Sequence, residues 1–340
     1  MPILTGMLAR AGQLFLTFIA GSFLVFAATE FAPGNVAARV LGPYAVESQV
    51  QLLRERLRLD DPLALRYARW LGALSGVADN PLSDPAIGLG LTDPRGPRYV
   101  GNLGFSLMQK EPVADVIARR AGATVRLTVW AVAIMVPLAL VLGIVAGVKA
   151  GRWPDRVVSG ATILLTSLPE FVTGVALILV FSASLGWLPG VSPLIPGDQW
   201  GTAAQMVMPV AVLVIASGAY VARIVRASVA DTMRRPFVRA ARMKGITPAQ
   251  VVWRHVLRNA LIAPVTVILL QINWMLTGVV VVESVFAYPG LGALLLRAAL
   301  FGDIYLVQAL ALIALAVAVG TQLLGDLAYR LIDPRIRVRA

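Results

Sequence analysis

Six long apolar runs alternate with polar connections along this chain of 340 residues. The runs are continuous rather than alternating at every second residue, so they read as helices and not as barrel strands. A hydrocarbon core of about 30 Å takes about 20 helical residues per crossing. Runs of that order are predicted at residues 13–28, 124–148, 157–182, 204–225, 261–282 and 304–324. Lipid offers the backbone no hydrogen-bond partner, so each span must satisfy its own amide groups. The expectation is an all-α integral membrane protein with six transmembrane helices. The first run follows a lone charged side chain, Arg10. A positive start, an apolar stretch and small residues also describe a signal peptide; the favoured reading is an uncleaved anchor with its N-terminus in the cytoplasm.

The connections sort by charge. After the second run come Lys149, Arg152 and Arg156, whereas residues 183–203 hold no Lys or Arg. Between the fourth and fifth runs lie Arg226, Arg234, Arg235, Arg239, Arg242, Lys244, Arg254 and Arg258, against Asp231 alone. Only Arg297 stands between the last two, and the tail carries Arg330, Arg335, Arg337 and Arg339. Cytoplasmic loops carry the excess of Lys and Arg, which places both termini in the cytoplasm. Residues 30–120 form a polar stretch of mixed charge, Pro- and Gly-rich from Asp79 to Pro97, with a short amphipathic helix expected from Asp61-Pro62 to Trp70. Long loops translocate despite their charge, so this stretch is expected to be a large extracytoplasmic loop or subdomain. The chain then divides into an anchor helix (1–29), the loop (30–120) and a core domain of five helices (121–340).

Composition narrows the function. The hydrophobic share of 58% and charged share of 14% suit a membrane interior. The net charge of +12 does not point to nucleic acid, because the basic residues cluster beside apolar runs. With no cysteine there is no disulfide framework, thiolate metal site or cysteine nucleophile. The single histidine, His255, lacks companions for a metal site. No HExxH, GxSxG or paired intramembrane aspartates suggest an enzyme, and no GxxxxGK[ST] loop is present to bind ATP.

The basic loop, residues 234–260, is predicted to be a helix–turn–helix. On a helix, Phe237, Ala240, Ala241 and Lys244 share one side, with Arg235, Arg239 and Arg242 opposite. Gly245 suits the left-handed position that ends a helix. Thr247, Pro248 and Gln250 suit the N-cap, first turn and capping box of the next helix, and Val251, Val252, His255 and Val256 form its apolar side. Small residues on one side of a short helix permit close approach to a partner's groove. A loop touching anionic headgroups through its arginines fits the same physics.

Nearly the whole chain resembles the permease subunits of bacterial dipeptide/oligopeptide ABC importers. The resemblance rests on ordered pieces: Phe31-Ala32-Pro33-Gly34; Asp60-Asp61-Pro62 with Tyr67 and Trp70; Gly104-Phe105-Ser106 and Pro112-Val113; Ala123-Thr124; Trp153-Pro154-Asp155. Ser167-Leu168-Pro169-Glu170-Phe171 and Ala219-Tyr220-Val221-Ala222-Arg223 with Arg226 and Ser228 follow. Arg254 to Leu261, Glu283-Ser284-Val285-Phe286, Pro289-Gly290-Leu291-Gly292 and Asp333-Pro334-Arg335-Ile336-Arg337 complete it. The resemblance implies a type I ABC importer permease fold in the bacterial inner membrane. It implies a second homologous permease chain, forming a heterodimer, two ATPase subunits holding ATP and Mg2+, and an extracytoplasmic substrate-binding protein. It implies no cofactor on this chain itself. Residues 237–245, with His255 behind them, become the ATPase-docking element. Where the wider superfamily carries Glu before the Ala-Ala pair, this chain carries Arg239, and residues 72–97 have no counterpart and look like an insertion. Relatives within the family carry nickel, opines, glutathione or oligosaccharides, which stand as alternatives to peptides; a stand-alone secondary transporter is the more distant one.

Polar residues inside hydrocarbon face a pore or a neighbouring helix. Gln271, Trp274 and Thr277 fall on one side of the fifth span and are candidates for the translocation path, with interhelical hydrogen bonding as the alternative. Asn273 points about 160° away from Gln271. Glu283, at the far end, would bind a peptide amine or brace the turn before Pro289-Gly290. Glu170 is expected to pair with a basic residue, a substrate role being secondary.

Overall fold

The computed structural model describes residues 2–31, 46–56, 58–78, 100–106, 108–192 and 203–332. The order is α1 (Pro2–Glu30), α2 (Glu47–Arg56), α3 (Leu63–Leu74), β1 (Phe105–Ser106), β2 (Glu111–Pro112), α4 (Val113–Val148) and α5 (Trp153–Ser167). It continues with α6 (Glu170–Ser184), α7 (Ala203–Met233), α8 (Pro236–Met243), α9 (Pro248–Ala260), α10 (Ile262–Val285), α11 (Leu291–Phe301) and α12 (Ile304–Ile332). The last turns of α6, from Ile178, and the middle of α9, Val251–Val256, widen to π-helical geometry.

Among the described residues, four helices are long and apolar enough to cross a membrane alone: α1 from Gly12, α4, α7 and α12 as far as Gly325. Two bent pairs bring the number to six if each is one span: α5 with α6, bent by 103°, and α9 with the start of α10, bent by 55°. The third span expected at 157–182 is broken into two helices. Pro169 supplies no N–H and forces the preceding residue out of the helical region; Leu168 is extended, at φ −88 and ψ 126. The stretch between the last two spans contains α11, which ends at Gly302 in the left-handed conformation (φ 73).

Contacts group the chain into two compact units, one built on Ala123–Pro289 with both chain ends, the other on Gly12–Gly122 with Gly290–Val319. In the first, α7 is the central strut, with α5, α6, α9 and α10 all packed on it. Its Val212, Leu213, Val221, Ala222, Val225 and Val229 are buried together with Leu127, Ala131, Met135 and Ala139 of α4 and Met275, Val279 and Val282 of α10. Small residues let α4 and α7 approach closely. A Cβ on Gly143 would stand 2.6 Å from the Ala222 carbonyl oxygen and from Val225 Cβ, and one on Gly147 2.8 Å from the Arg226 carbonyl oxygen.

In the second unit, α3 forms where the amphipathic helix is expected, with Pro62 just before its first turn. Its Tyr67 and Trp70 pack on Phe23 and Phe26 of α1; the Phe23 and Tyr67 rings meet edge to face at 5.2 Å. Tyr67 Oη and Ser22 Oγ share a hydrogen bond of 2.6 Å, and Arg66 pairs with Glu30. Asp303 caps α12 by accepting from the Leu306 amide, and it accepts from Ser106 Oγ and the Met108 amide as well. Those bonds hold the β1–β2 ladder, in which Phe105 pairs with Pro112.

The α4–α7 approach is checked by two matched substitutions. Gly143→Ala forces the helices apart and should cost about 1–3 kcal/mol. Gly160→Ala, where nothing lies within 4 Å, should be neutral or gain about 0.5–1 kcal/mol from helix propensity. Thermal unfolding of the purified variants in lipid nanodiscs reads both: the midpoint falls for the first and holds or rises for the second.

Candidate functional site

The basic loop is a rigid bracket on the first unit. α8 starts with Pro236 in its first turn after an extended Arg235. It ends in a Schellman motif, with the Gly245 amide donating to the Arg242 carbonyl and the Ile246 amide to that of Ala241. Gly245 sits at φ 76, the left-handed conformation its position demands. Thr247 caps α9, its Oγ1 accepting from the Gln250 amide at 3.4 Å, with Pro248 next in line.

Which side of α8 faces inward differs from the expectation. Val238 and Ala241 are buried in the same core as Val225 and Val229 of α7. Ala241 therefore anchors the helix and presents no surface to a partner, a correction to its place among the docking residues. The reason is geometric: Val238 and Ala241, three apart, form the apolar stripe, and Ile246 packs against the same core. Phe237, Lys244 and Gly245 are exposed and Ala240 is half-buried. Met243, 78% exposed, and Trp253, 72% exposed, stand out among the arginines; neither was singled out from sequence. Their signal was available, as large apolar side chains on the polar side of an amphipathic loop. His255 is half-buried in the π-helical turn, and its carbonyl accepts from Asn259 Nδ2 at 2.8 Å.

The bracket is tied to the helices above it. Val251, Val256, Leu257 and Ala260 of α9 are buried in the α7 core, and Ser228 Oγ donates to the Ala260 carbonyl at 2.5 Å. Two residues before Ser228, Arg226 makes a two-point ion pair with Asp155 in the first turn of α5, Nε to Oδ1 at 2.7 Å and Nη2 to Oδ2 at 2.6 Å. Asp155 also accepts from the Gly151 amide and from Ser159 Oγ, which satisfies its remaining lone pairs. Both residues belong to sequence pieces noted above, but their pairing across 71 positions is visible only in three dimensions.

The polar residues of the fifth span separate. Gln271 and Trp274 line a cleft of about 670 Å³ where α5 breaks into α6, together with Thr166, Ser167, Pro169, Glu170, Ala216 and Tyr220. Gln271 also ties α10 to α7 through its Nε2, which donates to Ser217 Oγ at 3.2 Å. Gln271 thus both lines the cleft and makes the interhelical hydrogen bond. The side chains of Asn273 and Thr277 lie outside the described residues. Glu283 is elsewhere: it is fully buried and accepts from Thr124 Oγ1 at 2.6 Å, while its carbonyl accepts from the Tyr288 amide. Tyr288 Oη in turn donates to the Ala123 carbonyl, and burial raises its phenol above the ordinary value, which keeps the donor proton in place. Glu283 accordingly braces the turn after α10 and is removed from the candidate path. Glu170, expected to pair with a basic residue, instead leaves Oε1 buried without a hydrogen-bond partner among the described residues, beside Gln271 and Trp274.

Comparison with known proteins places this arrangement. Residues 139–338 match the family described as "Binding-protein-dependent transport system inner membrane component". The chain is similar to the glutathione transport system permease protein GsiC of Escherichia coli O6:H1 (strain CFT073) and of Escherichia coli (strain K12). Each is 35% identical over 318 residues, 94% of this chain and 94% of theirs. Among solved structures, one titled "Inward facing conformations of the MetNI methionine ABC transporter" shares the fold, at a TM-score of 0.51 and 20% identity over 66% of this chain and 99% of that one. The six-span helical plan and these matches together show that the chain belongs to the binding-protein-dependent inner membrane components, the permease subunits of ABC importers.

Proposed function

We propose that the chain forms half of the membrane pathway of an ATP-driven importer for small peptides, with glutathione-like peptides as the nearest class, and that α8 receives the drive from an ATPase subunit. The observation that carries this reading is the mounting of α8. Its Val238 and Ala241 are locked into the α7 core while Phe237, Met243 and Lys244 face outward among arginines. A helix so mounted transmits a push to α7 as a rigid body, because packed interiors shift between discrete arrangements rather than deforming smoothly. Similarity to glutathione permeases over nearly the full length supports the solute class; glutathione is itself a tripeptide.

The remaining parts follow the same plan. A second permease chain completes the pathway, two ATPase subunits hold ATP and Mg2+, and a binding protein delivers the solute from outside. The basic loops and both termini face the cytoplasm by the positive-inside rule, and residues 30–120 face the binding protein. The solute passes the cleft at Gln271 and Trp274.

Met243→Glu and Phe237→Glu should lower ATP-driven uptake in proteoliposomes at least tenfold while the protein still inserts and assembles, whereas Val238→Glu should abolish recovery of folded protein, because it buries an unpaired charge. Gly245→Pro forbids the φ of 76 and deletes the amide that bonds Arg242, and should uncouple ATP hydrolysis from uptake. Normal uptake by all of these variants sinks the docking assignment. Gln271→Leu should change the rank order of the peptides carried; an unchanged order leaves Gln271 as an interhelical tie alone.

A further inference from the structure

Of the residues lining the cleft between α5, α6, α7 and α10, one is charged. That residue is Glu170; the polar remainder is Thr166, Ser167, Tyr220, Gln271 and Trp274, with apolar side chains between them. Glu170 opens α6, and an acidic residue in a first turn commonly serves the helix end. The N-cap residue of α6 is Pro169, which makes no side-chain cap bond, and Glu170 Oε1 is buried with no hydrogen-bond partner among the described residues. A carboxylate oxygen held out of water without a donor is costly. Among the described residues no donor reaches this oxygen, which leaves it available to a donor that enters the cleft.

The surroundings say which donor. Among the described residues no Lys, Arg or His lines the cleft, so none of them competes there for the carboxylate. Trp274, 54% exposed, offers an indole face, the aromatic surface that attracts cations most strongly. The Tyr220 ring is already engaged by Arg223, whose guanidinium carbon lies 5.7 Å from the ring centroid. Gln271 spends an N–H on Ser217, so its carbonyl oxygen remains an acceptor. A carboxylate, an amide oxygen and an indole face together suit a compact group with three donors and a positive charge, which is an ammonium.

Depth supports the same conclusion. The 15 residues of α5 cover about 22 Å at about 1.5 Å per residue, and Gln271 lies about 14 Å along α10 by the same rise. The cleft therefore lies several helical turns past Arg152 and Arg258, the basic residues that precede the two helices. Ionisable residues at such depth mark solute pathways, and breaks in membrane helices are where transporters hold their solutes.

We infer that the Glu170–Gln271–Trp274 cleft binds the free ammonium group of the carried solute, with Glu170 as its counter-charge. The inference rests on the proposal that this cleft lies on the transport path. It adds a selectivity filter within the membrane that accepts free-amine solutes and disfavours N-blocked ones.

The test uses the assembled importer in nanodiscs, with alanine amide as the ammonium probe and N-acetylalanine amide as its neutral counterpart. Trp274 emission is taken by difference from the Trp274→Phe complex. The expected result is saturable quenching by alanine amide at a concentration at least tenfold below that needed for the acetylated probe. Glu170→Gln should weaken the alanine amide response about tenfold, and Glu170→Asp should restore part of it. Equal responses of the unmodified complex to the two probes overturn the inference, a comparison that requires no Glu170 variant to fold. An equal response to KCl also overturns it, in favour of a general cation site. Peptide uptake by the same complex in proteoliposomes separates the two claims. ATP-driven uptake without amine discrimination removes the ammonium site and keeps the importer. Amine discrimination without ATP-driven uptake does the reverse.

Discussion

Asp155 and Arg226 meet through two hydrogen-bonded contacts of 2.7 and 2.6 Å, with the Asp155 side chain only 5% exposed. A carboxylate so far out of water persists only if its charge is matched and its lone pairs filled, and the Gly151 amide and Ser159 hydroxyl complete that set. The pair fixes the start of α5 against α7. Other packed helices of the first unit are referred to α7 in the same way. Gly143 and Gly147 bring α4 to its backbone, Ser228 and the buried valines hold the bracket of α8 and α9, and Ser217 receives Gln271 from α10. A helix bound on so many sides moves as a unit or not at all, which is the mechanical property a coupling element needs.

The consequence is a short physical route from loop to cleft. α8 is keyed into α7 by Val238 and Ala241, and the same α7 contributes Ala216 and Tyr220 to the wall around Glu170, Gln271 and Trp274. The opposite wall is the break at Leu168-Pro169, where α5 and α6 meet at a bend of 103° and no continuous helical hydrogen bonding crosses the proline. A displacement of α7 alters the cleft directly, without a long chain of intermediates.

The apolar runs were legible because hydropathy reports burial in lipid or protein without regard to direction. Direction was harder. Pro169 carried the signal of a break, but a 103° bend depends on what α6 packs against, and that is tertiary. The 11-residue α11 is too short to read as a span and too apolar to read as a loop. On α8, grouping Ala241 with Ala240 by size hid the stripe made by Val238 and Ala241; counting the Ile246 contact of the Schellman motif would have found it. Glu283 finds its partner Thr124 159 positions away, and no local pattern encodes that. Glu170 shows the converse: its Oε1 has no hydrogen-bond partner among the described residues, which sequence spacing does not display.

The account stands on α8 as a cytoplasmic contact for an ATPase. Because the chain has no cysteine, Met243→Cys creates a single labelled position, and cross-linking it in native membranes with a short bifunctional reagent is the most direct measurement. The account predicts an adduct with a nucleotide-hydrolysing subunit, reached by reagents on the cytoplasmic face, and no such adduct from Val238→Cys. Labelling of position 243 by an impermeant reagent added outside, or the absence of any ATPase adduct in membranes that still take up peptide, would contradict it.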